Sequence, residues 1–327
     1  MRDDDLGSAF AGRPFTAADL RAAGLPPGAV RRVGLATPVR GVRTTVPVDR
    51  TTVLRALDLV LPEPYAFSHT TAAALHGLPL TRALERRTEV HVTAPTGTAM
   101  IRRSGVVGHR GLERRSVTRR DGLPVVDAAD TWADLASLTP RLTVDDLVVV
   151  GDAVVASVDA RLAGRTRWDA STGLPVDPRS PGLDELSAVL GARRGGRGRR
   201  ALAAALDLVR PRSASPMETR SRLMFVRAGF PEPVMNAPVF ADGGGWLLLG
   251  DLVWHAARVV GEYQGADHGS IRRRSADASR AAAAADHGWR VVEIFAEDVR
   301  PGVRHRDCLL RFAREMRLDP RTLQIPG

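Results

Sequence analysis

Apolar residues at helical spacing mark TTVLRALDLVL and SHTTAAALHGLPL (51–61 and 68–80) as helices, and two strands follow in EVHVTAP and GVVGHRG, around 88–95 and 105–111. GLPVVDAADTWADLASL returns to helix near Asp127, and the text from 140 to 163 is an apolar-faced helix. Ahead of these, residues 13–33 read as two short helices. Thr16 is placed to cap the first, and Gly24, Pro26 and Pro27 mark the turn before the second. The alternation of LATPVRGVRTTVPV then predicts a strand or hairpin, giving the outline of a winged helix-turn-helix. Arg31 and Arg32 fall on or just after its second helix, where phosphates or bases could be met.

Thr, Gly, Pro and Ser dominate residues 165–182, which read as a loop. Two helical pieces follow, split by ARRGGRGRR, where Arg193, Arg194, Arg197, Arg199 and Arg200 are interleaved with glycine. This is the densest basic cluster, and it fits a phosphate-contacting arm as well as a solvated turn. From Ser215 the pattern becomes regular. Ser215, Pro216 and Glu218 make a helix start with a capping box, and Gly229 stops that helix. A hairpin with a Gly-rich turn, a third strand ARVVGEYQG, a helix ended by Gly288, the strand WRVVEIFAEDV and a last helix complete an αβββαβα order. The strand–helix–strand crossover should pair in parallel. The fold class expected is mixed α/β (α+β), divided as 1–50, 51–164, 165–212 and 213–327.

Composition adds a partner class. The 327 residues carry a net charge of +10, and all 47 basic residues are Arg, with no Lys. Such a surplus of guanidinium favours a polyanion. The one cysteine, Cys308, allows neither an internal disulfide nor a thiolate cluster. No apolar run reaches the roughly 20 residues of a membrane span. LVVVGDAVVASV comes nearest and is broken by Asp152. The acidic start MRDDDLGSAF has no apolar signal core, so a cytoplasmic protein is expected.

The chemistry-bearing residues concentrate in the last section. Asp251 lies in the apolar run WLLLGDLVW, and Glu262 and Gln264 share one face of the next strand, with Tyr263 on the other. Carboxylates ending buried strands are costly unless a cation meets them, so this pattern points to a divalent metal and phosphodiester chemistry. Among the histidines, His69 and His76 stand seven apart with no further ligand in sequence and read as packed or capping groups. His91 and His109 could pair across a hairpin without completing a site.

SPMETR, GDLVW, EYQG followed by His268, and GWRVVEI together resemble the PD-(D/E)XK nuclease superfamily, and more closely the bacterial proteins related to very-short-patch repair endonucleases. The resemblance covers residues 213–327. It implies that Asp251 and Glu262 bind Mg²⁺ (or Mn²⁺), that Glu218 is an additional acidic residue, and that His268 transfers protons. Gln264 stands where the superfamily keeps a water-polarising Lys. Arg272, Arg273 and Arg274 could meet the DNA backbone, or simply face solvent at a helix start.

PFTAADLRAAGL, FSHTTAAALHGLPL, VHVTAP and GLPVVDAADTWADLA are similar to the winged-helix antitoxin-like region of abortive-infection type IV toxin–antitoxin systems, which implies DNA binding for residues 13–150. The expectation is therefore a DNA endonuclease directed by an N-terminal DNA-binding module. The alternative is a catalytically inactive, nuclease-fold regulator or antitoxin-like protein. Expected partners are DNA, with a second copy of the chain and a toxin or antitoxin as further candidates, and no membrane.

Overall fold

The computed structural model describes residues 9–10, 12–26, 28, 34–162, 166–193, 195–265 and 280–326. Arg31, Arg32, Arg194, His268 and Arg272–Arg274 lie outside them. The protein is mixed α/β, with helices and, among the described residues, three sheets, and it divides into two compact units. One comprises the chain up to Gly77 with Arg82–Thr131, and the other Leu78–Thr81 with Trp132–Gly327. Residues 132–164 thus fold within the second unit, whereas the sequence reading joined them to residues 51–131. Among the described residues, no helix is long and apolar enough to cross a membrane.

The first unit opens with β1 (Phe15–Thr16) and the helix Ala17–Ala22. Thr16 caps that helix as expected, its side chain accepting from Asp19 N while the Asp19 carboxylate accepts from Thr16 N. β2 (Val42–Arg43) pairs antiparallel with β1, and Ala36 bridges Thr44, so the 35–48 text does turn back on itself. The second short helix expected before it falls mostly on residues that are not described.

The larger sheet of this unit contains β3 (Ala66–Phe67), β4 (Val90–Ala94), β5 (Val106–Arg110), β6 (Val117–Arg120) and β7 (Leu123–Val126), in the order β5-β4-β3-β7-β6. β4 and β5 run parallel, with His91 beside Val107 and Thr93 beside His109. The hairpin expected for them is therefore absent. The intervening residues cross over instead of turning tightly, and they shift His109 two positions along its strand relative to His91. Leu54, Leu57, Tyr65, Phe67, Val92 and Val125 form the core against the sheet.

The second unit is built on helix Val144–Leu162, packed with helices Pro181–Ala192, Arg199–Leu206 and Pro216–Arg227. Arg222 is fully buried on the last of these. Its Nη2 donates to Asp152 Oδ2 at 3.0 Å and to the Leu208 carbonyl at 2.8 Å, and its Nη1 donates to Glu232 Oε1 at 3.1 Å. Asp152 also accepts from Arg210 N and from the Thr219 hydroxyl, both at 2.8 Å. Burial pushes the Asp152 carboxyl up, and Arg222 with the other donors pulls against that.

A four-stranded sheet completes the unit. β8 (Val234–Phe240), β9 (Trp246–Trp254) and β10 (Val259–Gln264) are successive antiparallel neighbours, and β11 (Arg290–Phe295) lies parallel to β10, as the crossover required. One face packs Phe225, Trp254, Ile294 and Phe312 together, with Phe225 at 5.0 Å from Trp254 and 4.5 Å from Phe312. The other face carries Val239, Val253, Val260 and Trp289.

Removing one member of a buried ion pair leaves the other charge uncompensated, at a cost of about 3–5 kcal/mol. Asp152→Ala is expected to destabilise the second unit by that amount in urea unfolding, and Asp152→Leu combined with Arg222→Met to recover most of it. A loss below about 1 kcal/mol for the single variant would show that the pair does not hold these helices.

Candidate metal and phosphodiester site

Asp251 and Glu262 reach the site from adjacent strands. The β9–β10 ladder pairs Val259 with Trp254, Val260 with Val253 and Gly261 with Leu252, then ends. One more step in that register sets Asp251 opposite Glu262, on the face that holds Val253 and Val260. Here the strands part: Asp251 Oδ2 accepts the Tyr263 N–H at 2.8 Å, so a side chain takes a bond the backbone ladder no longer makes. Tyr263 packs its ring against the opposite face. Glu262 is half-buried, and Gln264 is exposed at the strand end. Asp251, Glu262 and Gln264 thus share a face, as period two requires.

Glu218 sits in the first turn of helix Pro216–Arg227, whose N-cap Ser215 accepts from Glu218 N at 3.2 Å. The expected capping box is only half made. The Glu218 carboxylate passes over Ser215 and accepts instead from Ala214 N at 2.9 Å and Asn236 Nδ2 at 2.6 Å. Glu218 is 7% exposed, and its charge reaches Asp251. Burial, opposed by the Tyr263 N–H and helped by Glu218, pushes the Asp251 carboxyl up to about 6. Burial is the larger cause of that shift and the like charge of Glu218 the smaller, and a cation would relieve both. The donors here are all oxygen, from two acids and an amide beside a third acid. That set suits a hard ion such as Mg²⁺ or Mn²⁺ and fits poorly with a soft one.

Sequence reasoning missed Asn236, which binds Glu218, and Arg212, whose carbonyl Asn236 also binds. Asn236 holds φ 45 in β8, the left-handed region that few residues other than glycine enter. Its Nδ2 bridges the Glu218 carboxylate and the Arg212 carbonyl. Asn tolerates that backbone better than most residues, and its place between two neutral strand positions was the only sequence signal. Arg212 also has a positive φ, 70. Its guanidinium lies 5.3 Å from the Trp168 ring, and its buried Nε has no hydrogen-bond partner. Arg212 lines a cavity of about 870 Å³ together with Asp159, Arg167, Arg179, Ser213 and Asn236.

The Arg-rich segment at 193–200 is partly structural. Arg193 makes a 2.7 Å ion pair with buried Asp134, and Arg197 and Arg199 donate to the carbonyls of Thr139 and Leu190. Gly198 at φ 84 lies so close to the Ala136 carbonyl that a Cβ there would meet its oxygen at 1.9 Å, which explains why glycine interrupts the basic run. Among the histidines, His76 is a packing group whose Nε2 lies 2.8 Å from the Val126 carbonyl. His69 instead lies with His91 and His109, two partners that spacing in the sequence could not reveal.

No family model matches the chain. Two uncharacterized proteins of Mycobacterium tuberculosis, MT2308 of strain CDC 1551 / Oshkosh and Rv2248 of strain ATCC 25618 / H37Rv, are each 32% identical to it over 108 residues. The match covers 32% of this chain and 40% of theirs, so the chain spans well under half the length of the relatives it matches. Among solved structures, the crystal structure of the RV2827C protein from Mycobacterium tuberculosis superimposes with a TM-score of 0.35 at 18% identity, over 62% of this chain and 78% of that one.

Proposed function

We propose that the second unit is a Mg²⁺- or Mn²⁺-dependent DNA endonuclease of the PD-(D/E)XK kind, directed to DNA by a winged-helix-like region in the first unit. The observation that carries this reading is the place of Asp251 opposite Glu262, half-buried where the β9–β10 ladder opens and its Oδ2 accepts the Tyr263 N–H. A protein with no use for a cation there would gain stability by replacing either acid with a neutral group.

Asp251 and Glu262 would hold the cation, which when bound neutralises the phosphodiester and lowers the pKa of an attacking water. Glu218, fixed by Ala214 N and Asn236, orients that water or a further ion. Gln264 offers an amide that positions water but supplies no charge. Arg212 would supply charge instead: its half-buried guanidinium lines the cavity beside Asp159, whose charge reaches it. Among the described residues its buried Nε has no hydrogen-bond partner, so a phosphate oxygen could take its N–H groups. Water adds to phosphorus, the bridging P–O bond breaks, and the leaving oxygen takes a proton. His268 is the group proposed to move that proton.

Gln264 in place of Lys favours a second reading, a nuclease-fold DNA-binding regulator that does not cut. Incubation with supercoiled plasmid and Mg²⁺ or Mn²⁺ separates the two. The nuclease reading expects metal-dependent nicking that drops about 10³-fold in Asp251→Ala and Glu262→Ala, and about 10²-fold in Arg212→Gln. Salt-dependent DNA binding without any nicking by the parent chain would leave the regulator standing.

Asp251 also sets a pH dependence. The folded chain keeps its proton up to about 6, against 3.8 ordinarily, so between those values the folded state binds more protons and metal-free stability falls as pH rises. In chelator, Asp251→Asn is expected to remove that part of the slope. Mg²⁺ should stabilise the parent chain at pH 7 but lose affinity below about pH 6, roughly tenfold per unit. Thermal melts across this window measure both effects, and identical slopes in parent and variant would contradict the assignment.

A further inference from the structure

His69, His91 and His109 stand far apart in sequence and meet in the first unit. His69 begins the helix His69–Leu75, directly after β3 and N-cap Ser68. Ser68 N donates to the His91 carbonyl at 3.0 Å, and His91 N donates to the Thr71 hydroxyl at 2.9 Å, so this helix start is tied to the middle of β4. β5 runs parallel beside β4 and brings His109 across from Thr93, which leaves His91 and His109 diagonal on one face. His91 Nδ1 lies 2.9 Å from His109 Nε2. The His69 ring lies over His109, centroids 3.7 Å apart, and 5.4 Å from His91. One ligating nitrogen of each ring lies within 4.8 Å of the other two.

Two further observations point to a ligand. His69 holds φ 51, a left-handed backbone that costs energy in a residue other than glycine and that aims its ring at the other two. His69 and His91 are 3% and 9% exposed, so imidazole nitrogens converge away from water, while His109 is only half-buried and leaves one edge reachable. Burial, with His109 next to it, pushes His91 down to about 4, so that ring is neutral and can donate a lone pair.

We propose that His69, His91 and His109 form a binding site for a borderline transition-metal ion, Zn²⁺ foremost. Three imidazoles supply nitrogen donors at bond lengths of about 2.0–2.1 Å and leave a fourth position on the His109 side for water or an exchangeable ligand. Two nitrogens on one tetrahedral zinc stand about 3.3–3.4 Å apart, so the ion would open the 2.9 Å His91–His109 contact slightly and draw His69 in. This site is distinct in chemistry from the all-oxygen site of the second unit and does not depend on the nuclease reading.

The test uses the full chain stripped by chelator and dialysed against Zn²⁺ or Co²⁺ in excess Mg²⁺, which fills oxygen sites and competes poorly for imidazole. Expected are one equivalent of Zn²⁺ and visible Co²⁺ d–d absorption of tetrahedral strength. Both should survive in Asp251→Asn and in His287→Gln, an exposed histidine elsewhere. His109→Gln, half-buried and well placed to fold normally, should weaken binding by more than the about 10–100-fold that loss of an outer-sphere partner costs. Absence of Co²⁺ absorption in the parent chain overturns the proposal without recourse to any variant. Unchanged affinity in His109→Gln overturns it as well.

Discussion

The buried pair of Asp152 and Arg222 is the constraint on which the second unit is arranged. A guanidinium with no exposed surface needs acceptors for its N–H groups; Nη1 and Nη2 find them in Glu232, Asp152 and Leu208, while the buried Nε has none among the described residues. These contacts fix the helix Pro216–Arg227 against the helix Val144–Leu162 in rotation as well as distance, because a charge pair tolerates neither slip nor roll. Thr219, one turn before Arg222, binds the same carboxylate and also meets the Ser213 hydroxyl. Glu218 is its immediate neighbour. Glu218 and Arg222, four residues apart, lie on one side of this helix, and Glu218 is itself held by Ala214 N and Asn236.

The strands supply the complementary half. Pairing of β9 with β10 continues only as far as Gly261, whose missing side chain lets Phe312 and Ile294 crowd the sheet from the other face. Beyond it the backbone hydrogen bond passes to Asp251, and the two chains can diverge without leaving the Tyr263 N–H unpaired. The opening is therefore made at little cost in hydrogen bonding. What remains expensive is charge on Asp251, chiefly through burial and further through Glu218. A proton on Asp251 removes that cost below about pH 6, and above it a cation is the relief proposed here.

Local chemistry was legible in the sequence and distant chemistry was not. The caps at Thr16 and Ser215, the hairpin around the Gly-rich turn and the parallel crossover to β11 depend on neighbours a few residues away or on a chain length that permits one handedness. The shared face of Glu262 and Gln264 follows from alternation alone, and the β9–β10 register adds Asp251 to it. Glu218 shows the limit. Its spacing from Ser215 predicts a reciprocal box, but the carboxylate takes Ala214 N and Asn236, since a partner 18 residues away offers a shorter bond than its own cap. Arg193 belongs to Asp134 for a similar reason, and the charge pattern around it carried no trace of that acid. The histidine cluster depends on contacts that spacing does not show: β3 beside β4 brings His69 to His91, and the parallel pairing of β4 with β5, where a hairpin was expected, sets His109 diagonal to His91.

The two clusters differ in the property that decides which ion each can take. Around Asp251 the donors are anionic oxygens, whose attraction grows with the charge density of the cation and whose mutual repulsion is itself the driving force. Around His91 the donors are neutral nitrogens that do not repel one another strongly, so the binding energy has to come from covalency in the metal–nitrogen bond. Mg²⁺ gains almost nothing from three imidazoles, and Zn²⁺ gains far more there than from carboxylates alone.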